Sequence, residues 1–136
     1  MEYGKDYYML LYSTEWTNTD NTVISLYEKG NTLQIGIVEV TVFKTGDRKG
    51  EAYMWNLHVN EDHRGRGYGR ALLSEAYDVA MLAGCETVTL EWESEDTPQW
   101  VFDWYVREGF DERKFGAGYA FMAKAVKENL NNLTQI

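Results

Sequence analysis

At 136 residues the chain has the length of one compact domain. Hydrophobic residues make up 44% and aromatic residues 15%, enough large apolar surface for a core, which excludes disorder for most of the chain. Thirteen Lys and Arg against 22 Asp and Glu leave a formal net charge of -9, a balance that opposes loose binding to nucleic acid or anionic lipid and favours cationic partners. The single cysteine, Cys85, cannot form an internal disulfide, and Met1 to Asp6 lack the basic start and apolar run of a signal peptide. No apolar stretch approaches the ~20 residues that span a bilayer. A soluble cytoplasmic protein with no nucleic-acid or membrane partner is expected.

Tyr7 to Tyr12 and Val23 to Tyr27 read as strands, separated by Ser13 to Asn21, whose Thr and Asn content reads as a loop. Glu28-Lys29-Gly30-Asn31 makes a tight hairpin turn into Leu33 to Phe43. There apolar residues alternate first at 33, 35 and 37 and then at 38, 40 and 42, a phase change that implies a bulge or two buried faces. After the polar turn Lys44 to Gly50, a further strand puts Tyr53, Trp55, Leu57 and Val59 on one face and ends at Asn60-Glu61-Asp62. From Tyr68 the period becomes helical. Tyr68, Leu72, Ala76, Val79 or Ala80, and Ala83 share a stripe, and Gly84 stops the helix.

Glu86 to Glu93 returns to period two, with Val88, Leu90 and Trp92 on one face and Thr89, Glu91 and Glu93 on the other. Thr97 and Pro98 read as N-cap and first-turn residue of a second helix. Trp100, Val101, Trp104 and Tyr105 form its stripe, with Trp100 and Trp104 packed on the sheet, and Gly109 closes it. Tyr119 to Val126 reads as the last strand and residues 126–136 as a frayed polar tail. Strand, helix, strand from Ala52 to Glu93 is a crossover between parallel strands, preceded by an antiparallel meander. The expected fold is a single α/β domain over residues 1–136 with a mixed central sheet.

His63-Arg64-Gly65-Arg66-Gly67-Tyr68-Gly69-Arg70 falls between a strand end and a helix start and concentrates basic side chains in an acidic chain. Such a turn binds anions, because glycines let backbone approach closely and the first N–H groups of a helix lack internal partners. A G-x-G-x-x-G fingerprint begun at Gly65 or Gly67 would need glycine where Arg70 or Leu72 stands. No Gly-Lys-Ser or Gly-Lys-Thr occurs, so a P-loop falls too. His58 and His63 are the only histidines and Cys85 the only cysteine, so no ordinary zinc set exists and no metal is expected. His58 reads as a packed strand residue, Cys85 as a buried structural thiol.

Arg64-x-x-Gly67-x-Gly69, entered from Leu57-His58-Val59 and leaving into an Ala-Leu-Leu helix, resembles the [Q/R]-x-x-G-x-[G/A] pyrophosphate loop of the GNAT acyltransferase superfamily. Trp104-Tyr105-Val106-Arg107-Glu108-Gly109-Phe110 is similar to that family's Tyr-x-x-x-Gly-Phe segment. The likeness covers roughly Ala52 to Val126. It implies a GNAT-type domain whose central parallel strands splay, acetyl-CoA as cosubstrate and an amine as acceptor. It further implies that backbone N–H groups of Gly65, Arg66, Gly67, Tyr68, Gly69 and Arg70, behind Arg64, hold the CoA pyrophosphate, while Leu57, His58 and Val59 present backbone to the pantetheine and the acetyl carbonyl. Glu91 stands where some members have a base in Leu-Glu-Val, with Glu93 as the second choice, and Tyr105 matches the family's general-acid tyrosine. Asp96 occupies the stretch where members often have an asparagine against pantetheine. The two helices that many members insert after the first strand have no room here, so the acceptor side is expected to be open or completed by another subunit, in the simplest case a homodimer. The rival from another class is a non-catalytic module that binds acyl-CoA or a protein, keeping the loop without the chemistry.

Overall fold

The structure, a computed structural model, describes residues 6–126. Its first strand, β1 (Tyr7–Glu15), pairs antiparallel with β2 (Thr19–Glu28) along its whole length, from Tyr7 opposite Glu28 to Glu15 opposite Asp20. The stretch expected as a loop is therefore mostly ladder. Thr14, Thr19 and Thr22 are β-branched and suit a strand, and the hydroxyls of Ser13 and Thr22 meet across it at 2.8 Å. Polar residues on a solvated strand imitate a loop in sequence.

The meander continues through β3 (Gln34–Phe43) and β4 (Glu51–Val59). Two bulges account for the phase change. Ile35 is the extra residue where pairing with β2 shifts between Leu26 and Tyr27, so Ile35 and Gly36 are both buried, followed by Val38, Val40 and Val42. On β4, His58 opposes Ile37 and Trp55 opposes Glu39, so Asn56 and Leu57 together oppose Val38. Asn56 carries the left-handed backbone of this bulge at φ 58°, a conformation asparagine tolerates better than most residues. The expectation that Tyr53, Trp55, Leu57 and Val59 share one face is thereby corrected. Ala52 and Met54 are buried, Leu57 and Val59 pack on the same core beyond the bulge, and Tyr53 and Trp55 point the other way.

A 3₁₀ turn over Glu61–His63 leads to helix α1 (Tyr68–Leu82), which buries Tyr68, Leu72, Leu73, Ala76 and Ala80 against the sheet. At Gly36 the sheet and this helix come so close that a Cβ would stand 3.1 Å from Leu72 Cδ1 and 3.2 Å from the His58 carbonyl oxygen. The helix ends in a Schellman turn: Gly84, at φ 79°, donates to Met81 O and Cys85 donates to Ala80 O. Strand β5 (Thr87–Glu93) then runs parallel to β4, but only from Glu51 opposite Thr87 to Tyr53 opposite Thr89. Beyond that point β4 bends at its bulge, β5 stays with its other neighbour, and the two part.

Helix α2 (Gln99–Arg107) follows, then β6 (Asp111–Gly116) and β7 (Tyr119–Ala125), giving the sheet order β1-β2-β3-β4-β5-β7-β6. Strand β6 was not legible in the sequence because it is an edge strand with every residue exposed and Asp111, Glu112, Arg113 and Lys114 in a row, the kind of charge that keeps an edge from pairing further. Helix α2 also starts differently from expectation. Pro98 is the N-cap, at ψ 159°, and Thr97 donates its hydroxyl back to Glu93 O at 2.9 Å instead of capping.

Both helices lie on one face of the sheet. Val88, Leu90 and Trp92 are buried there, Phe102 of α2 packs on Trp92 at 5.3 Å, and Trp104 of α2 abuts Gly69 of α1. Among the described residues no helix covers the opposite face. Val126 is buried and donates its N–H to Glu86 O; the rest of the expected tail lies outside the described residues. No helix among them is long and apolar enough to cross a membrane.

Candidate active site

The parting of β4 and β5 opens a cleft of about 1160 Å³, lined on the helix side by the first turn of α1, by Pro98 and by Trp100, Val101, Trp104 and Tyr105 of α2. Each wall follows from a local feature already described. Met54 to Val59 line one side because β4 has lost its partner there. Leu90, Glu91 and Trp92 line the other, and alternation along β5 sends Leu90 and Trp92 toward the helices and Glu91 toward the helix-free face.

The loop His63 to Arg70 forms the end of the cleft. Gly65 (φ 80°) and Gly67 (φ 84°) take left-handed backbone with nothing within 4 Å of where a Cβ would stand, which leaves the space above them open. Gly67 is the N-cap of α1, without a side-chain cap and with no acid in the first turn. The first bond inside the helix runs from Ala71 N–H to Gly67 O, so the N–H groups of Tyr68, Gly69 and Arg70 have no helical acceptor and face the cleft end. A Cβ at position 69 would touch Trp104 at 3.4 Å, ordinary contact for alanine and crowded for anything larger, which is the physical content of a Gly-or-Ala position.

The basic side chains are mostly engaged. Arg64 donates through Nε to Val59 O at 2.9 Å, tying the loop to the end of β4, and its guanidinium stands 5.9 Å from the Trp100 ring. His63 Nε2 lies 3.1 Å from Glu28 Oε1 and Arg66 Nη1 3.6 Å from Glu28 Oε2. Arg70 forks onto Glu108, with Nη2 2.8 Å from Oε2, and that bond raises the guanidinium pKa. With these side chains engaged, the donors the loop offers the cleft are chiefly backbone N–H groups.

Of the residues singled out from sequence, Leu57, His58, Val59, Arg64, Gly65, Gly67, Tyr68, Gly69, Arg70, Glu91 and Tyr105 line the cleft. Arg66 does not, having turned to Glu28, and Glu93 lies outside as well. Tyr68 contributes backbone only, since its ring is buried edge-on to Tyr7 at 5.8 Å. Asp96 lines the cleft. Among the α2 aromatics Trp104 packs against the core and Tyr105 borders the cleft, as expected, but Trp100 departs from expectation. Trp100 is 53% exposed at the cleft instead of packed on the sheet, and Tyr105 is the one residue α2 buries.

Tyr105 sits where it does because α2 also closes in a Schellman turn, with Gly109 (φ 100°) donating to Val106 O and Phe110 to Tyr105 O. That turn brings the Phe110 ring within 5.7 Å of Tyr105, the apolar contact that accompanies the motif. The Tyr-x-x-x-Gly-Phe spacing is thus a helix-ending device that fixes the tyrosine. Burial, aided by Tyr77, pushes the Tyr105 phenol well above the ordinary tyrosine range. Its hydroxyl has no hydrogen-bond partner among the described residues, and the residue borders the cleft. Sequence reasoning missed Trp55 and Asn56, which also line it; an aromatic beside an asparagine in a strand was the available signal.

The acetyltransferase (GNAT) family model matches residues 2–110. No curated protein sequence matches the chain. Among solved structures, the chain is similar to a Klebsiella pneumoniae protein assigned as an acyl-CoA N-acyltransferase, at TM-score 0.66 and 20% identity over 78% of this chain and 72% of that one. PaiA N-acetyltransferase from Thermoplasma acidophilum, solved with coenzyme A, gives 0.65 and 17% over 77% and 60%. The ribosomal-protein-S18-alanine N-acetyltransferase from Escherichia coli gives 0.63 and 22% over 85% and 74%. At these identities the structures speak for the fold, and the family match covers most of the sequence; the chain belongs to the GNAT acetyltransferase family.

Proposed function

We propose that this chain transfers an acetyl group from acetyl-CoA to a primary amine by direct attack. The observation that carries the reading is the convergence on one cleft of an uncapped helix N-terminus, a carboxylate from the helix-free side and a buried tyrosine from the helix side. The pyrophosphate lies on the N–H groups from Gly65 to Arg70, and the pantetheine runs along the unpaired edge of β4 with its thioester between the parted strands. Glu91, directly or through water, takes a proton from the ammonium. The freed amine attacks the thioester carbon, the tetrahedral intermediate collapses with cleavage of the C–S bond, the Tyr105 hydroxyl protonates the departing thiolate, and the surplus proton on the new amide nitrogen passes through water to the tyrosinate. Amide and free CoA are the products.

Thiol release from acetyl-CoA across a panel of amines, with each product checked by mass for one added acetyl group, tests this. Amine-dependent release is expected. Binding of acetyl-CoA with no release on any amine would favour the non-catalytic module instead.

A further inference from the structure

On the helix-free face, strand register lines up Tyr12, Val23, Glu39 and Trp55 in one cross-strand row. Because Tyr53 pairs with Thr89, Trp55 and Glu91 are the next residues on that face of their strands and look at each other across the gap where β4 and β5 part. Glu39 is half-buried. Its Oε1 accepts from Asn21 Nδ2 at 3.3 Å and its Oε2 from Asn56 Nδ2 at 3.0 Å, so both donors are neutral amides. Among the described residues no Lys, Arg or His pairs with it. The guanidinium of Arg48, on the turn before β4, is held by Glu51 and lies over the rings of Phe43 and Tyr53. Beside this carboxylate, Trp55 donates its indole N–H to Thr41 Oγ1 at 3.0 Å, which fixes the ring, yet 40% of the residue stays exposed at the cleft.

A fixed aromatic face next to a carboxylate with no internal cation is a receptor for an ammonium group. We propose, building on the acetyl-transfer reading above, that the acceptor is a linear dication: one amine is acetylated beside Glu91 while a second positive charge rests on Trp55 and Glu39. Adjacent strands lie about 4.8 Å apart, so the row from Glu39 through Trp55 to Glu91, widened at the gap, separates the two carboxylate-bearing Cα atoms by roughly 10 Å or more. An extended chain fits along that line, since no helix among the described residues lies over it.

The probes are α,ω-diamines of increasing length, amino alcohols of equal length as monocationic controls, and a short peptide with lysine near its free amino terminus. The assay is steady-state thiol release by wild type, Trp55→Leu, Trp55→Phe and Glu39→Gln. Wild type is expected to favour diamines or the peptide over amino alcohols at least tenfold in kcat/KM. Trp55→Leu and Glu39→Gln should each erase that preference through the dication KM, with Glu39→Gln, outside the cleft lining, leaving the acetyl-CoA KM and the amino-alcohol rates in place, and Trp55→Phe should keep part of it. Preference for the diamines or for the peptide identifies the source of the two charges. Equal kcat/KM for dications and controls, or variants that keep the preference, would overturn the subsite while leaving acetyl transfer intact. If nothing turns over, calorimetry of diamine binding decides: binding weakened by Trp55→Leu and Glu39→Gln upholds the subsite, and no binding removes it.

Discussion

Glu91→Gln is expected to lower turnover by about 10²- to 10⁴-fold, the usual worth of a general base. Glutamine keeps the shape and the strand, so the loss should appear in kcat with acetyl-CoA affinity almost unchanged. Position decides between the neighbouring carboxylates. Both Glu91 and Glu93 are exposed on the same face of β5, but only Glu91 borders the cleft, at the level where β4 has already turned away. Glu93 is paired with Tyr119 further along the β7 ladder. Glu93→Gln is therefore the control and should stay within a few-fold of wild type. Near-normal turnover in Glu91→Gln together with a large loss in Glu93→Gln would move the base one strand repeat along.

Tyr105→Phe is expected to slow turnover about a hundredfold or more with little change in acetyl-CoA binding. Phenylalanine keeps the ring that packs on Trp104 and Phe110, so a tyrosine that only packs would lose little. Burial raises the phenol pKa, with Tyr77 adding to it, which keeps the proton on Tyr105 throughout the pH range where an amine can be acetylated. The same shift has a consequence for stability. A folded pKa above the unfolded value of about 10 contributes stability that is complete below that pH and lost as pH rises beyond it, because the unfolded chain then gives up a proton that the folded one keeps. Tyr105→Phe should accordingly flatten the alkaline decline in melting temperature. Turnover equal to wild type would reduce Tyr105 to a core residue and leave the thiolate to be protonated by water.

The parts of the fold that were legible in sequence are those where one physical demand acts alone. The stripe Tyr68, Leu72, Ala76, Ala80 and the glycine at 84 define α1 because burial and helix termination act alone there, although Ala83, expected on the stripe, is an exposed C-cap. Loop residues 64, 67 and 69 stood out through the family resemblance, and the structure adds why two of them are glycine: left-handed backbone at Gly67 and Trp104 close against Gly69. Legibility failed where two demands overlap. Strand β6 hides behind edge charges, the β1–β2 turn behind a hydroxyl-rich ladder, and the β4 bulge behind an unbroken alternation that ignores Asn56. In α2, helical spacing named the aromatic stripe but not which ring goes inside. That choice comes from the closing turn at Gly109 and Phe110, which draws Tyr105 inward and leaves Trp100 at the cleft.

The central claim is that acetyl-CoA binds at the N-terminus of α1, and melting temperature with and without it tests this most directly. At a concentration about 100 times the dissociation constant, wild type should gain about 2.7 kcal/mol of stability and melt higher. In Gly67→Glu the added Cβ meets nothing within 4 Å, but the residue takes left-handed backbone at φ 84° and brings a negative charge to the N–H groups expected to hold phosphate. That variant should fold with a penalty of roughly 1–2 kcal/mol and show no rise with acetyl-CoA. A wild-type melting curve unmoved by excess acetyl-CoA, or an equal rise in Gly67→Glu, would contradict the account.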